Sequence, residues 1–434
     1  MRYILLFCIV IGLGFSAIPA YAKERSDGEM YKKRMELYKN METFTQIPWY
    51  VLAAIDQYER SIRFARSDLP KPSGLISIYF SPEKWAGIAN PDRNDNRPLT
   101  ITLFGGIGKD GDGDGKADRN NDLDVLYTMS DNLLKYGTDD DNIEIALWHY
   151  YKRDKAVQLI TEKAKIYNTF GTIELTDQAF PLPLGYNYNY RSTWGDRRGW
   201  GGRRIHEGTD IFADYGVPVR ATCYGVVEMK GWNKYGGWRI GIRDLNNTYH
   251  YFAHLSGYAK NIHVGQVVKP GMVIGGVGST GYGPPGTSGK FPPHLHYGMY
   301  KDNGRSEWSF DPYPYLQRWE YLEKQKKQRC GYCNHFASTY SAGAAYCTGS
   351  WPAHLAPGNQ YGLEWGREPL PITFVYRVKN TQSTMRRYNA AAAPVILSFS
   401  AVRSTAPRYC HFRCKTAVHR RCNFPLPAVH HAYT

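Results

Sequence analysis

Four histidines and one aspartate, grouped in three short motifs, carry the clearest chemistry in this sequence. The motifs are HEGTD (His206 to Asp210), YFAHL (with His254) and HLH (His294 and His296). In an extended strand, residues i and i+2 share a face, so His294 and His296 would present two imidazoles side by side. HEGTD is not HExxH: the second histidine is absent, and Gly208 argues against a helical i,i+4 pair. It suits a loop entering a strand, TDIFA. Zinc accepts imidazole nitrogen and carboxylate oxygen, and a catalytic site keeps three protein ligands and one open position. His206, Asp210 and one histidine of HLH make that set. The remaining histidine and His254 are left to carry protons or to steady a developing oxyanion. A lone histidine is usually a surface or core residue; the combination reads as a zinc hydrolase site. His250, His263 and Glu207 read as non-ligands, and Cys223 as a small buried residue.

Two further groups lie upstream. IPWYVLAAIDQYERSIRFARSDLP (47–70) has helical spacing, with Pro48 in its first turn and Pro70 after its end. Glu59 falls on the apolar stripe of Leu52, Ile55 and Ile62. A carboxyl there loses water and its pKa rises, as a general acid requires; the alternative is a structural glutamate. In DGDGDGKAD (110–118), Asp110, Asp112, Asp114 and Asp118 occupy loop positions 1, 3, 5 and 9, with Gly115 at 6. That alternation aims carboxylates at a calcium-type cation. Position 12 is Asn121 rather than Glu, and Asp124 could supply the missing carboxylate.

These features must be held by two kinds of structure. Residues 23–165 are helix-patterned. Residues 175–320 are rich in Gly, Pro, Val, Tyr and Trp in short runs, which predicts an antiparallel sheet. GTIELTDQAFPLPLG (171–185) reads as a linker between them. The fold class expected is multidomain α+β. Met1-Arg2, the apolar run 3–18 and AYA at 20–22 read as an export signal over residues 1–22, and no later segment is long and apolar enough to span a bilayer.

The +15 net charge of the 434 residues is misleading. Residues 324–434 hold 15 Lys and Arg against only Glu364 and Glu368, which leaves 39 basic and 37 acidic residues elsewhere. A nucleic-acid reading would rest on that tail alone. The tail also holds six of the eight cysteines, including Cys330-x-x-Cys333 and Cys410-x-x-x-Cys414, at spacings too irregular for a zinc module. It is expected not to fold as a domain, and to be either a frameshifted end or a basic wall-binding extension.

Two family resemblances follow from these residues. IPWYVLAAIDQYE, the aspartate loop with its following helix, and ALWHYYKRDKAVQLI (146–160) resemble the lysozyme-like lytic transglycosylases over about 40–160. The resemblance places the catalytic acid at Glu59. The pattern departs from that family at Arg60, where Ser is usual, and at Tyr151, where Asn is usual. HEGTD, YFAHL, GGVGSTGYG and HLH resemble the M23, lysostaphin-type zinc metallopeptidases over about 180–320. That resemblance implies zinc on His206, Asp210 and His296, and catalytic roles for His254 and His294. The implied activity is hydrolysis of an amide bond in a peptidoglycan stem peptide by an exported enzyme. The alternatives are a lytic transglycosylase and a non-catalytic peptidoglycan-binding protein, which would usually have lost one of these residues.

Overall fold

The computed structural model describes residues 18–199 and 204–339. Residues 340–434 of the tail and residues 1–17 of the expected signal lie outside these. Residues 18–22 open helix α1 (Ile18–Thr45). Its Arg34, Tyr38, Met41 and Thr45 are buried, one helical stripe at spacings of three and four. Helix α2 (Trp49–Ala65) follows Pro48 and ends five residues before Pro70. Short α3 (Pro82–Ala86) and α4 (Pro98–Leu103) lead through the aspartate loop to α5 (Asp122–Leu134), α6 (Asp140–Tyr151) and α7 (Asp154–Phe170). Asn121 and Asp139 cap α5 and α6, each accepting a backbone N–H of the first turn.

The sheet half begins with β1 (Tyr188–Tyr190), and β2 (Arg197–Arg198) pairs with β3 (Arg204–Ile205) as a separate ribbon. The main sheet adds β4 (Thr209–Ala213), β5 (Pro218–Arg220), β6 (Gly225–Asn233), β7 (Gly237–Asp244) and β8 (Thr248–Tyr258). It is completed by β9 (Val267–Val268), β10 (Val273–Val277), β11 (His294–Asp302) and β12 (Glu307–Phe310). Its path runs β1-β4-β11-β8-β7-β6-β9, antiparallel throughout, with β12 beside β11 and β10 bridging β5 and β8. Leu295 and Tyr297 of β11 face the core with Ile211, Phe252 and Leu255. Alternation therefore turns His294 and His296 to the other face.

Two expectations need correction. Residues 171–185 are not a free linker: Phe180 and Leu182 are fully buried in the sheet core, and Ala179 N donates to Thr222 O. The two halves form one compact unit. Helix α8 (Tyr313–Thr339) also runs through residue 324, where the unfolded tail was expected to begin. Its Leu316 and Trp319 are buried in the sheet core, and Glu323 pairs with Arg220 at 2.9 Å.

Candidate metal centre and catalytic cleft

The register of two strands builds the centre. His296 of β11 lies directly across from Asp210 of β4, and His294 across from Phe212. His206 stands four residues before Asp210 in the loop between β3 and β4. Thr193 fixes that loop at both ends. Its carbonyl accepts His206 Nδ1 at 2.7 Å, and its hydroxyl accepts Asp210 N at 3.1 Å. Because Nδ1 carries the proton, neutral His206 presents a lone pair at Nε2.

That lone pair lies 2.9 Å from His296 Nδ1 and 3.0 Å from Asp210 Oδ1, and the last two atoms are also 3.0 Å apart. Three electron-rich atoms this close repel one another unless a proton or a cation sits among them. Two imidazoles and one carboxylate form a zinc-type donor set, and the spacing suits ligands converging on one small ion. Burial raises the Asp210 carboxyl, but the His206 and His296 rings against it outweigh that burial and hold the group ionised, below the usual carboxylate range. Arg198 donates to the other oxygen, Oδ2, at 2.5 Å, which leaves Oδ1 facing the histidines.

The two remaining histidines share one design. His254 Nδ1 donates to Thr280 O at 2.7 Å, and His294 Nδ1 to Pro292 O at 2.8 Å. Each neutral ring then offers Nε2 as a lone pair. Their rings lie 4.8 Å apart. Burial, and then the neighbouring His294 and His296, push His254 down to about 3; burial also lowers His294 and His296. His254 lies inside β8, which runs on to Tyr258. It sits mid-strand at a bulge, where β7 advances two residues while β8 advances three, with φ of +61°. The extra residue lets Phe252 and Leu255 both reach the core while His254 turns into the cleft.

The cleft over these groups holds about 350 Å³ and is lined by all five motif residues together with Arg198, Arg204, Glu207 and several tyrosines. A model of peptidase family M23 matches residues 204–309. The L-Ala–D-Glu endopeptidase of Bacillus subtilis (strain 168) is 63% identical over 314 residues, covering 72% of this chain and 96% of that protein. The chain belongs to peptidase family M23. As a member of that family it is a metallopeptidase. Lysostaphin of Staphylococcus staphylolyticus is 35% identical over 32% of this chain and 24% of its own length. The solved catalytic domain of lysostaphin from Staphylococcus simulans is 33% identical, with 31% of this chain and 93% of that chain covered and a TM-score of 0.25.

The other expected sites stand apart from this centre. Glu59 is only 7% exposed, and its carboxylate accepts Tyr151 Oη at 2.8 Å. Burial pushes it up to about 7 against the opposing pull of Tyr151, Arg63 and Lys84. In the aspartate loop, Asp110, Asp112 and Asp124 bring one oxygen each within 4.8 Å of one another. Asp114 and Asp118 are not in that group; their carboxylates accept backbone N–H groups of Lys116 and Asn120 instead. His250 is a core residue bonded to Tyr297 and Asp244, and His263 is exposed, so neither joins the centre. Glu207 is exposed, and Cys223 is buried and free. No motif singled out Thr193, Thr280 and Pro292, whose carbonyls set three imidazole tautomers. Arg198 was one arginine among several in DRRGWGGRR, with nothing to single it out.

Proposed function

We propose that this chain is a zinc-dependent peptidoglycan endopeptidase that hydrolyses the L-Ala–D-Glu bond of the stem peptide. The observation that carries the chemistry is the convergence of His206 Nε2, His296 Nδ1 and Asp210 Oδ1 within 3.0 Å. The bond assignment is supported by the name of the 63% identical relative, which this chain covers over 96% of its length. His206, Asp210 and His296 would hold zinc, which polarises the scissile carbonyl and acidifies water. One of His254 and His294, both anchored through Nδ1, accepts the proton of the attacking water at Nε2. The resulting N–H steadies the tetrahedral oxyanion and then passes its proton to the leaving amine. The expected setting is outside the membrane, in the cell wall or spore cortex, after removal of residues 1–22. For the helical half, Asp110, Asp112 and Asp124 are the corresponding proposal for calcium, tested by a calcium-dependent rise in Tm.

A second reading makes the helical half a lysozyme-like transglycosylase with Glu59 as its acid. The raised Glu59 carboxyl favours it. Its closure beneath Tyr151 disfavours it, because a general acid must reach the substrate oxygen. Mass spectrometry of muropeptides released from purified peptidoglycan, with and without chelator, separates the readings. New amino termini on D-Glu, lost with chelator and in His206→Ala, support the peptidase. Anhydro-muramic ends that persist in chelator would sink it as the main activity. His254→Ala is expected to keep zinc by elemental analysis while losing about 10²–10⁴-fold in kcat, the range for a proton-transfer group.

A further inference from the structure

Glu207 stands between His206 and Gly208 in HEGTD, yet it takes no part in the metal centre. It is exposed and lines the same cleft, as does Tyr300. Two hydroxyls from neighbouring strands hold its carboxylate. Tyr300 Oη of β11 donates to Oε2 at 3.4 Å, and Ser309 Oγ of β12 donates to Oε1 at 3.3 Å. Tyr300 and Ser309 are cross-strand partners, so the pairing of β11 with β12 sets the spacing of the two donors. Each carboxylate oxygen has one donor and keeps further acceptor capacity. Both donors are neutral, so they orient the carboxylate without cancelling its charge. Among the described residues Glu207 forms no ion pair. Arg198, in the same cleft, is committed to Asp210 at 2.5 Å. The cleft wall thus carries an oriented anion next to a zinc-type ligand.

We infer that Glu207 is a specificity-determining residue, binding the side-chain ammonium of the diamino acid that follows the glutamyl residue in a stem peptide. The inference rests on the L-Ala–D-Glu reading above. His254 and His294 already supply the proton-transfer groups, which leaves the carboxylate for binding. An ammonium brings three donors and no acceptor, and the oriented carboxylate has acceptor capacity to meet it. The reach is suitable. The diamino residue begins one residue beyond the scissile bond, about 7 Å along an extended chain, and its side chain is long. Glu207 adjoins His206, about 4 Å from Cα to Cα. Both charged groups therefore extend from points close to the reacting centre. The same amine is consumed when a stem is cross-linked to a second stem through an amide, and an amide carries no charge. Glu207 would then direct the enzyme to stems that are not cross-linked.

The test uses the full-length zinc enzyme and uncross-linked muropeptides from purified peptidoglycan, in which that side-chain amine is free. One portion is left unmodified, one is N-acetylated and one is N-dimethylated. Acetylation removes the charge, whereas methylation adds bulk and keeps it. Wild type is expected to lose about 3–10-fold in kcat/KM on the acetylated peptide, a range from an exposed ion pair to a hydrogen bond with a charged group. It is expected to keep most of its rate on the dimethylated one. Glu207→Gln keeps the shape and loses the charge. It is expected to lose a similar factor on the unmodified peptide and to cut all three at similar rates. Zinc content and Tm equal to wild type show that the variant has folded. If Glu207→Gln keeps the wild-type preference, the inference is wrong. It is equally wrong if wild type cuts acetylated and unmodified peptides at equal rates, or rejects both modified peptides alike, results that need no variant. If wild type cuts none of them between L-Ala and D-Glu, the underlying bond assignment fails and this inference falls with it.

Discussion

Asp56 and Glu59 lie three residues apart on α2, and their partners give them opposite behaviour. Asp56 is fully buried, which alone would raise it. Arg34 at 2.7 Å, Arg60 at 3.3 Å, Tyr38 Oη at 2.6 Å and the Ser77 amide outweigh that burial and keep it ionised. Glu59 has one neutral donor, Tyr151, and rises from 4.5 to about 7. Between those two values the folded chain holds a proton that the unfolded chain has released. Stability must therefore fall as pH rises through that window, by up to about 3 kcal/mol. Glu59→Gln keeps the shape and removes the titration. It is expected to flatten this part of the profile and to stabilise the protein at pH 8 but not at pH 4. Urea midpoints at the two values check it. Equal offsets from wild type at both would mean that Glu59 releases its proton over the same range in the folded and unfolded chains, and that burial beside Tyr151 does not keep it protonated. The sequence revealed the acid on the apolar stripe, but not the Tyr151 contact made from 92 residues away.

At the scale of elements, the centre is a matter of register and close approach. Gly208 lies between two ligands, and a Cβ there would come within 2.6 Å of His296 Cε1 and 2.7 Å of Tyr297 O. Since the second atom is backbone, β11 cannot simply yield. Gly208→Ala is expected to displace the His296 ring and weaken zinc by at least about 10-fold, comparable to losing a supporting group of a metal ligand. The site lies at one end of the pair β4–β11, so the fold should survive. Zinc competition with a chromophoric chelator, alongside circular dichroism, measures both. Wild-type affinity in the variant would show that the ring has another place to go. HLH and TDIFA were legible in the sequence because alternation is a property of any strand. The bulge at His254 was not, because a left-handed residue depends on what β7 and β10 demand of β8. The packing of Phe180 and Leu182 escaped for a related reason: Pro and Gly around them signal a turn, not what the turn rests against.

At the scale of the whole molecule, the two halves share a charged joint. Arg153 of the helical half meets Asp302 at 2.5 Å, Lys155 meets Glu228 at 2.9 Å, and Val226 and Leu245 of the sheet half enter the helical core. Lys163 of α7 is fully buried there, with Nζ 2.6 Å from Asn247 Oδ1. Burial pushes it from 10.5 down to about 7, against the pull of Asp244 and Glu162. Between those values the unfolded chain holds the extra proton, so stability rises with pH across the window. Below the lower value the penalty is complete, up to about 5 kcal/mol. Replacing a buried ammonium by an apolar stem removes that penalty and loses the bond to Asn247. Lys163→Met is therefore expected to stabilise the protein at pH 6 and to be neutral or destabilising at pH 10, as read by urea unfolding at each. The Glu59 and Lys163 windows meet near pH 7 without overlapping, so one pH series separates the acid inside the helical core from the lysine in the joint. A Lys163→Met curve parallel to wild type from pH 6 to 10 would mean that the ammonium stays charged in the folded joint. Asp244 and Glu162 would then balance it, and the two halves would be held together by buried ion pairing rather than by a lysine kept neutral.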